Sequence, residues 1–189
     1  TAGLRARKGS VYENGFRSPF VIQWPKGMKG GRKLKDPVMH IDLLPTLADA
    51  CGIKLPGNLK VDGISILPLL TGEVKELPER YLFMQHNRAN VPIRFSNCMV
   101  RKGRWKAVQT KPKQRDFELY NIEQDPGEKE NLAAEHPDQV QEYVREYESW
   151  FDDVTAELKR NEGMPHPIEL NPIQKYDFRF TWQDWWGEK

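Results

Sequence analysis

Apolar positions along the chain change period twice, and each change marks a different kind of structure. Residues 1–17 carry no apolar period: Gly3, Gly9 and Gly15 punctuate alternating charges, which predicts a loop. Phe20-Val21-Ile22-Gln23-Trp24, bounded by Pro19 and Pro25, predicts a short buried strand. A Gly/Lys loop over 26–35 then leads to a second short strand over 38–41. Asp42 reads as the N-cap of a helix with Pro45 in its first turn, where the absent N–H costs nothing. Leu43, Leu44, Leu47 and Ala50 share one face of that helix, and Gly52 stands where a C-terminal glycine belongs. Two strands, loops and a helix in this order have the look of the tail end of an α/β sheet.

Residues 54–78 hold Pro56, Gly57, Gly63, Pro68, Gly72 and Pro78 and read as loop. Strand-length runs follow at 80–86, 94–101, 105–109 and 117–120, separated by polar turns, and predict an antiparallel meander. Lys102-Gly103 marks a compact hairpin. Asp125-Pro126-Gly127 marks a turn in which Pro fixes φ and Gly takes the conformation other residues avoid. From Pro137 to about residue 160, Val140, Val144, Tyr147, Phe151, Val154 and Leu158 keep the 3–4 spacing of one helical stripe, suited to cover one face of the meander. Residues 161–189 mix three prolines with Phe178, Phe180, Trp182, Trp185 and Trp186, and read as an irregular strap laid over the surface or a neighbouring subunit.

Composition narrows the function classes. Of 189 residues, 38% are apolar and 30% charged, and six Trp, eight Phe and six Tyr supply a core, so a globular chain is expected. No stretch approaches the ~20 apolar residues of a membrane-spanning helix, and no leader-like apolar run follows Thr1. Cys51 and Cys98 are the only cysteines, which excludes a disulfide scaffold and an all-cysteine zinc site. The four histidines lack the H-x₃-H spacing of a zinc site: His40 reads as a packed strand residue, and His136 and His166 as surface residues. Net charge is only +2, yet residues 1–35 hold nine Lys or Arg against the single acid Glu13. A basic opening on an acidic body predicts an anion-facing end, for sulfate, phosphate or nucleic acid.

Arg7-Lys8-Gly9-Ser10-Val11-Tyr12-Glu13-Asn14-Gly15-Phe16-Arg17-Ser18-Pro19, followed by Trp24-Pro25, resembles the formylglycine-dependent sulfatases, whose pattern here is K-G-x-x-Y-E-G-G-x-R-x-P. The likeness continues through His40-Ile41-Asp42-Leu43-Leu44-Pro45-Thr46-Leu47 and Asp62-Gly63-Ile64-Ser65-Ile66-Leu67-Pro68-Leu69-Leu70. It resumes at Arg101-Lys102-Gly103-Arg104-Trp105-Lys106 and at a last block that runs from Leu119 through Glu128 and on to Asn131-Leu132. Five blocks in order over residues 3–155 make the resemblance specific. It implies an alkaline-phosphatase-like architecture: the end of a large mixed α/β sheet domain over 1–75, a smaller α+β subdomain with an antiparallel sheet and one packed helix over 76–160, and the strap over 161–189. It also implies a sulfuric-ester hydrolase acting on aryl or carbohydrate sulfates, working in the periplasm, outside the cell or in a lysosome-like compartment.

The resemblance carries one catalytic residue onto this sequence, Lys8, which matches the family lysine that binds the sulfate group. A sulfate ester gathers negative charge on its oxygens in the transition state, and a compact ammonium beside them stabilises it. The family nucleophile, a Cys or Ser in C/S-x-P-x-R that becomes formylglycine, has no counterpart: Cys51 precedes Gly-Ile-Lys and Cys98 precedes Met-Val-Arg. Formylglycine and the calcium ligands are therefore expected upstream of this chain, in the remainder of the same polypeptide, and these residues alone are expected to be inactive. Tyr12, Glu13 and Arg17 read as scaffolding for the loop, with Glu13 paired to Arg17. Asn14 replaces a family glycine, a mild change if positive φ is needed there. His86, Asn87 and Arg88 close a predicted strand, and by resemblance His86 and Arg88 contact the sulfated small molecule or glycan; a plain hairpin end is the alternative. Two other functions compete: a nucleic-acid-binding module, disfavoured because no recognised binding motif accompanies the charge, and a sulfated-glycan-binding scaffold without hydrolysis.

Overall fold

The computed structural model describes residues 3–86 and 92–160, with side chains through residue 156. The strap over 161–189 lies outside the described residues. Four strands, β1 (Leu82–Gln85), β2 (Cys98–Lys102), β3 (Trp105–Gln109) and β4 (Glu118–Asn121), form one antiparallel sheet in the order β1-β2-β3-β4. The meander is the one expected from the strand-length runs separated by polar turns. Lys102 pairs with Trp105, so the β2–β3 loop consists of Gly103 and Arg104, with Gly103 at φ +55°.

Both faces of the sheet are covered, because residues alternate sides along each strand and partners across strands share a side. The long helix Pro137–Arg160 covers one face. Cys98, Val100, Ala107 and Leu119 meet Tyr143, Val144, Tyr147 and Phe151 there, with Phe95 and Phe117 closing the edge. Phe83 stacks on Trp150 with ring centroids 5.2 Å apart. The Tyr147 hydroxyl donates to Gln85 Oε1 at 2.8 Å and accepts from the Phe95 N–H at 3.0 Å, so its one buried polar group is satisfied. The opposite face carries Met99, Val108, Tyr120 and Ile122 and packs against Val11 and Tyr12 of the opening segment. That opening segment, which the sequence alone shows as an aperiodic loop, is the second cover of the sheet.

In chain order the helices are α1 (Glu13–Phe16), α2 (Leu43–Ala50), α3 (Leu67–Thr71) and α4 (Pro137–Arg160), with a 3₁₀ turn at His40–Asp42 ahead of α2. Residues 20–24 are not a strand. No partner strand lies beside them among the described residues, and Phe20, Val21 and Trp24 are exposed, Val21 at 88%. Without a partner strand there is no ladder to form and the exposed backbone bonds to water instead, so a five-residue apolar pattern alone does not make a strand. Residues 38–41 likewise enter the 3₁₀ turn rather than a strand, placing His40 at the start of that turn, where it is exposed. α2 forms where expected and Gly52 follows it at φ +65°, but the face bearing Leu43, Leu44 and Leu47 is turned outward, with Leu47 62% exposed. Within 54–78, read as loop, Leu67–Thr71 make a short helix that ends on Gly72 at φ +86° and buries Leu69 and Leu70.

Asp42 does more than cap a helix. Its side chain makes no cap bond to α2. It accepts from the Met39 N–H at 2.9 Å and the Ile64 N–H at 3.0 Å, and takes both Arg80 Nη groups, Nη1 at 2.7 Å. Burial pushes its carboxyl up, but the Arg80 guanidinium and the two N–H groups outweigh this and hold it below the usual aspartate range. Asp42 is thus the knot that ties α2 and the loop at Ile64 to the residues just before β1. No helix among the described residues is long and apolar enough to cross a membrane.

Candidate functional site

Lys8 sits on a tight excursion of the opening segment. The Ser10 N–H reaches Arg7 O at 3.2 Å, turning the chain around Lys8, and Ala6 and Gly9 take positive φ (+68° and +88°) on either side. Lys8 itself is exposed and makes no ion pair among the described residues. The turn closes onto α1: the Asn14 N–H binds Arg5 O at 3.1 Å and the Asn14 amide donates to Ala6 O at 2.6 Å. Asn14 is helical rather than left-handed, so its replacement of a glycine needs no tolerance of positive φ. Gly15 is required for a different reason. A Cβ there would lie 2.0 Å from Ser10 O, so the loop and α1 approach too closely for any side chain.

Two groups of side chains fasten this segment to the sheet. On one side the Arg5 guanidinium donates to Tyr120 OH at 2.6 Å, Glu128 O at 2.9 Å and Tyr12 OH at 3.1 Å, and lies 3.8 Å from the centre of the Tyr12 ring. Both tyrosine hydroxyls donate onward to Glu118 Oε2, at 2.6 and 2.7 Å. Burial first, then the Glu118 carboxylate, raise both phenols, so they stay protonated donors.

On the other side lies a fully buried ionic triad. Lys106, in the middle of β3, donates to Glu13 Oε1 at 3.0 Å and Glu128 Oε1 at 2.7 Å, and all three side chains are at most 1% exposed. Glu128 Oε2 accepts the Glu13 N–H at 2.7 Å, and the Lys106 ammonium lies 4.4 Å from the Phe16 ring centre. Burial pushes the Glu128 carboxyl up, against the pull of Lys106. Arg17 sits 3.6 Å from Glu13, the pair expected from the sequence, but Lys106 is the deeper partner. The turn at 125–128 also differs from expectation. Gly127 does not take the left-handed conformation; Glu128 does, at φ +53°. A non-glycine held there indicates a position over-determined by its surroundings, here by one ion pair with Lys106, the Glu13 N–H on its carboxylate and Arg5 on its carbonyl.

A third tie links the Lys8 turn to another expected site residue. The Asn97 amide donates to Gly9 O at 3.2 Å and to His86 O at 3.5 Å, and Asn97 O accepts the His86 N–H at 2.9 Å. Lys8 and His86 are thereby brought to one end of the sheet, with His86 half-buried. Arg88 and Asn87 lie outside the described residues. The open groove lined by Glu79, Gly103, Arg104, Trp105 and Glu123 is at the other end of the β2–β3 hairpin.

Arg5, Asn97, Lys106, Glu118 and Glu128 did not emerge from the sequence as functional positions. Lys106 left a trace: a charged residue between Trp105 and Ala107, on the same side as Val108, sits where the alternating pattern calls for an apolar residue. Asn97 left none beyond a polar turn before β2.

The arrangement thus carries an exposed lysine on a turn whose backbone is anchored to the sheet. Cys98 is buried and its thiol is pushed up to about 12 by burial, so it is no nucleophile. Among the described residues no three His, Cys, Asp or Glu side chains are grouped to hold a metal ion.

The family profile of N-sulphoglucosamine sulphohydrolase, C-terminal, matches residues 6–155, which includes the Lys8 turn, the sheet and most of α4. The chain belongs to this sulfatase family. It is the C-terminal portion of a sulfatase, and its solved neighbours share its mixed α/β build. It is 26% identical to Steryl-sulfatase of Mus musculus over 215 residues, taking in 97% of this chain and 32% of that protein. It is 30% identical to an uncharacterized sulfatase of Schizosaccharomyces pombe over 190 residues, or 90% of this chain and 32% of that one. The crystal structure of Ps i-CgsB in complex with k-i-k-neocarrahexaose matches with a TM-score of 0.65 at 32% identity, over 78% of this chain and 31% of that one. This sulfatase portion spans about a third of the length of the relatives it matches.

Proposed function

We propose that this chain supplies the sulfate-binding lysine and one wall of the substrate cleft in an enzyme that hydrolyses sulfate esters of a small molecule or glycan. The observation that carries this is the Lys8 turn, an exposed ammonium on a segment bolted to a sheet at both ends, inside the region matched by the sulfatase family. Lys8 would bind the sulfate oxygens and stabilise the charge they gather in the transition state. His86 and Arg88 would contact the organic part of the substrate. The tie from Asn97 to both His86 and Gly9 supports that role for His86.

Calcium and formylglycine, which the family resemblance implies, do not fit the described residues. They offer no grouped ligands and no C/S-x-P-x-R sequence. We place both in a segment that precedes Lys8 in the complete polypeptide. We also divide the chain into the end of the larger α/β domain over 1–75, the smaller sheet-and-helix domain over 76–160 and the strap over 161–189, with the Lys8 segment reaching across onto the smaller domain. The outward apolar residues Phe20, Val21, Trp24, Leu44 and Leu47 support a partner for the first of these, the rest of the larger domain.

The test is hydrolysis of nitrophenyl sulfate, and of a panel of sulfated steroids and glycans, by the complete polypeptide and by this chain alone. Turnover by the complete polypeptide and none by this chain is expected. In the complete polypeptide Lys8→Ala should lower kcat/KM by ~10²–10³, the scale for losing one oxyanion-stabilising group. An unchanged rate removes Lys8 from the site, and glycan binding without hydrolysis by the complete polypeptide replaces the enzyme with a binding protein.

A further inference from the structure

The seven residues between Arg5 and Glu13 carry Lys8; apart from bonds within their own loop and to Asn14 of α1, the ties that fix this segment end on the sheet or on the chain next to it. Arg5 is held by Tyr120 of β4 and by Glu128 O. Tyr12 is held by Glu118 of β4. Glu13 is held by Lys106 of β3 and, through its N–H, by Glu128. Gly9, next to Lys8, is held by Asn97 at the entry to β2. Lys106, Tyr120 and Glu118 stand on the face opposite α4, so the sheet core does not need their polar groups. A buried Lys with two carboxylates is not an economical way to stabilise a fold, since apolar residues of the same volume often do as well or better. Such a cluster does fix register, because it is satisfied in only one alignment of loop on sheet.

We infer that the small-domain sheet is a positioning platform for Lys8, and that Lys106 is a positioning residue for sulfate-ester hydrolysis that acts through Lys8 without touching the substrate. This rests on the reading of Lys8 as the sulfate-binding residue. With Glu13 and Glu128 clamped by Lys106, and Arg5 and Tyr12 clamped by Glu118 and Tyr120, the turn at 6–12 has both ends fixed. The Lys8 backbone is then already in place at the moment of reaction, and only its side chain has to close on the sulfate.

The experiment is a double-mutant cycle in the complete polypeptide, with turnover of nitrophenyl sulfate read as kcat and KM separately. Lys106→Met is expected to lower kcat ~10–10²-fold, the scale of a displacement of about 1 Å in a catalytic group, with KM held within about twofold. In the Lys8→Ala background the same substitution is expected to change kcat by less than about twofold, because the group it positions is gone. An equal loss from Lys106→Met in both backgrounds overturns the positioning role and leaves Lys8 intact. A wild-type rate in Lys106→Met with unchanged circular dichroism also overturns it. No loss from Lys8→Ala itself overturns the sulfate-binding reading and the platform together. Should Lys106→Met fail to fold, Tyr12→Phe decides by the same cycle. It removes one hydroxyl and keeps the ring under Arg5, and is expected to cost ~3–10-fold in kcat with Lys8 present and nothing without it.

Discussion

α2 and α4 each carry an apolar stripe, and the two stripes meet opposite fates. α4 turns Tyr143, Val144, Tyr147 and Phe151 onto a four-stranded sheet and buries all four. α2 lines up Leu43, Leu44 and Leu47 just as regularly and leaves all three exposed. The same contrast holds for the regions around them. From Tyr81 to Phe151 the chain closes a core from its own residues, while residues 18–53 keep Phe20, Val21, Trp24 and Ile53 at the surface. An apolar stripe therefore does not bury a helix face by itself: it needs a complementary surface, which the sheet gives α4 and which α2 does not have among the described residues. In the apolar-exposed region order comes from a polar knot instead, the Asp42 carboxylate with Met39, Ile64 and Arg80.

The sharpest test of the closed region is Lys106→Met, which strands two buried carboxylates. It should destabilise the complete polypeptide by ~3–5 kcal/mol in chemical denaturation, more than any single change in 18–53. A loss near zero would mean Glu13 and Glu128 are solvated or neutral and that the triad fixes nothing. Next in size is Leu47→Ala. In the complete polypeptide it should cost ~2 kcal/mol or more if another segment covers α2, and in this chain alone it should stay within ~0.5 kcal/mol. Equal small effects in both would break the comparison, since α2 would then simply face water.

Asp42→Asn comes third, at ~1.5–3 kcal/mol for charged hydrogen bonds lost at neutral pH. The sign of its pH dependence is fixed. The folded carboxyl lies below its ordinary value of 3.8, so its stabilisation is present above that pH and fades as pH falls through the folded value. The stability gap between wild type and Asp42→Asn should therefore be constant near neutrality and narrow below pH 3.8. A gap that instead widens in acid would show that Arg80 is not the dominant partner. The smallest effect is Tyr12→Phe, ~1 kcal/mol for one buried hydroxyl that donates to Glu118. Thermal unfolding resolves it, and a shift as large as that of Lys106→Met would mean that the Arg5 group, not the ionic triad, holds the Lys8 segment.

Much of the closed region was legible because its signals are local. Strand-length runs over 94–101 and 105–109 predict strands, Lys102-Gly103 predicts the hairpin, and the 3–4 spacing from Pro137 predicts α4. Each needs only neighbours within a few residues. The failures elsewhere share one cause. Residues 20–24 carry a strand pattern without a strand beside them, and a β pattern is only half of a pair. Asp42 looks like a cap because its helix follows at once, yet its bonding partners Ile64 and Arg80 are 22 and 38 residues away. Gly127 looks like the left-handed residue of its turn, but the pull of Lys106 and of the Glu13 N–H puts Glu128 there instead.

The candidate site divides along the same line. Lys8, Tyr12, Glu13 and Arg17 were visible as one motif, and with them the sulfate-binding role that the family likeness implies. The chain by itself thus settled the loop, the meander, the long helix and the family. All of these follow from short-range periodicity and contiguous residue types. Which residues hold the loop was decided in three dimensions only. Lys106 is 93 residues from Glu13, and Tyr120 is 115 from Arg5. Lys106 shows in the sequence as a charge out of place, but its choice of partner does not, because a charge chooses its partner by the energy of leaving water beside it, and that energy exists only once the sheet has formed.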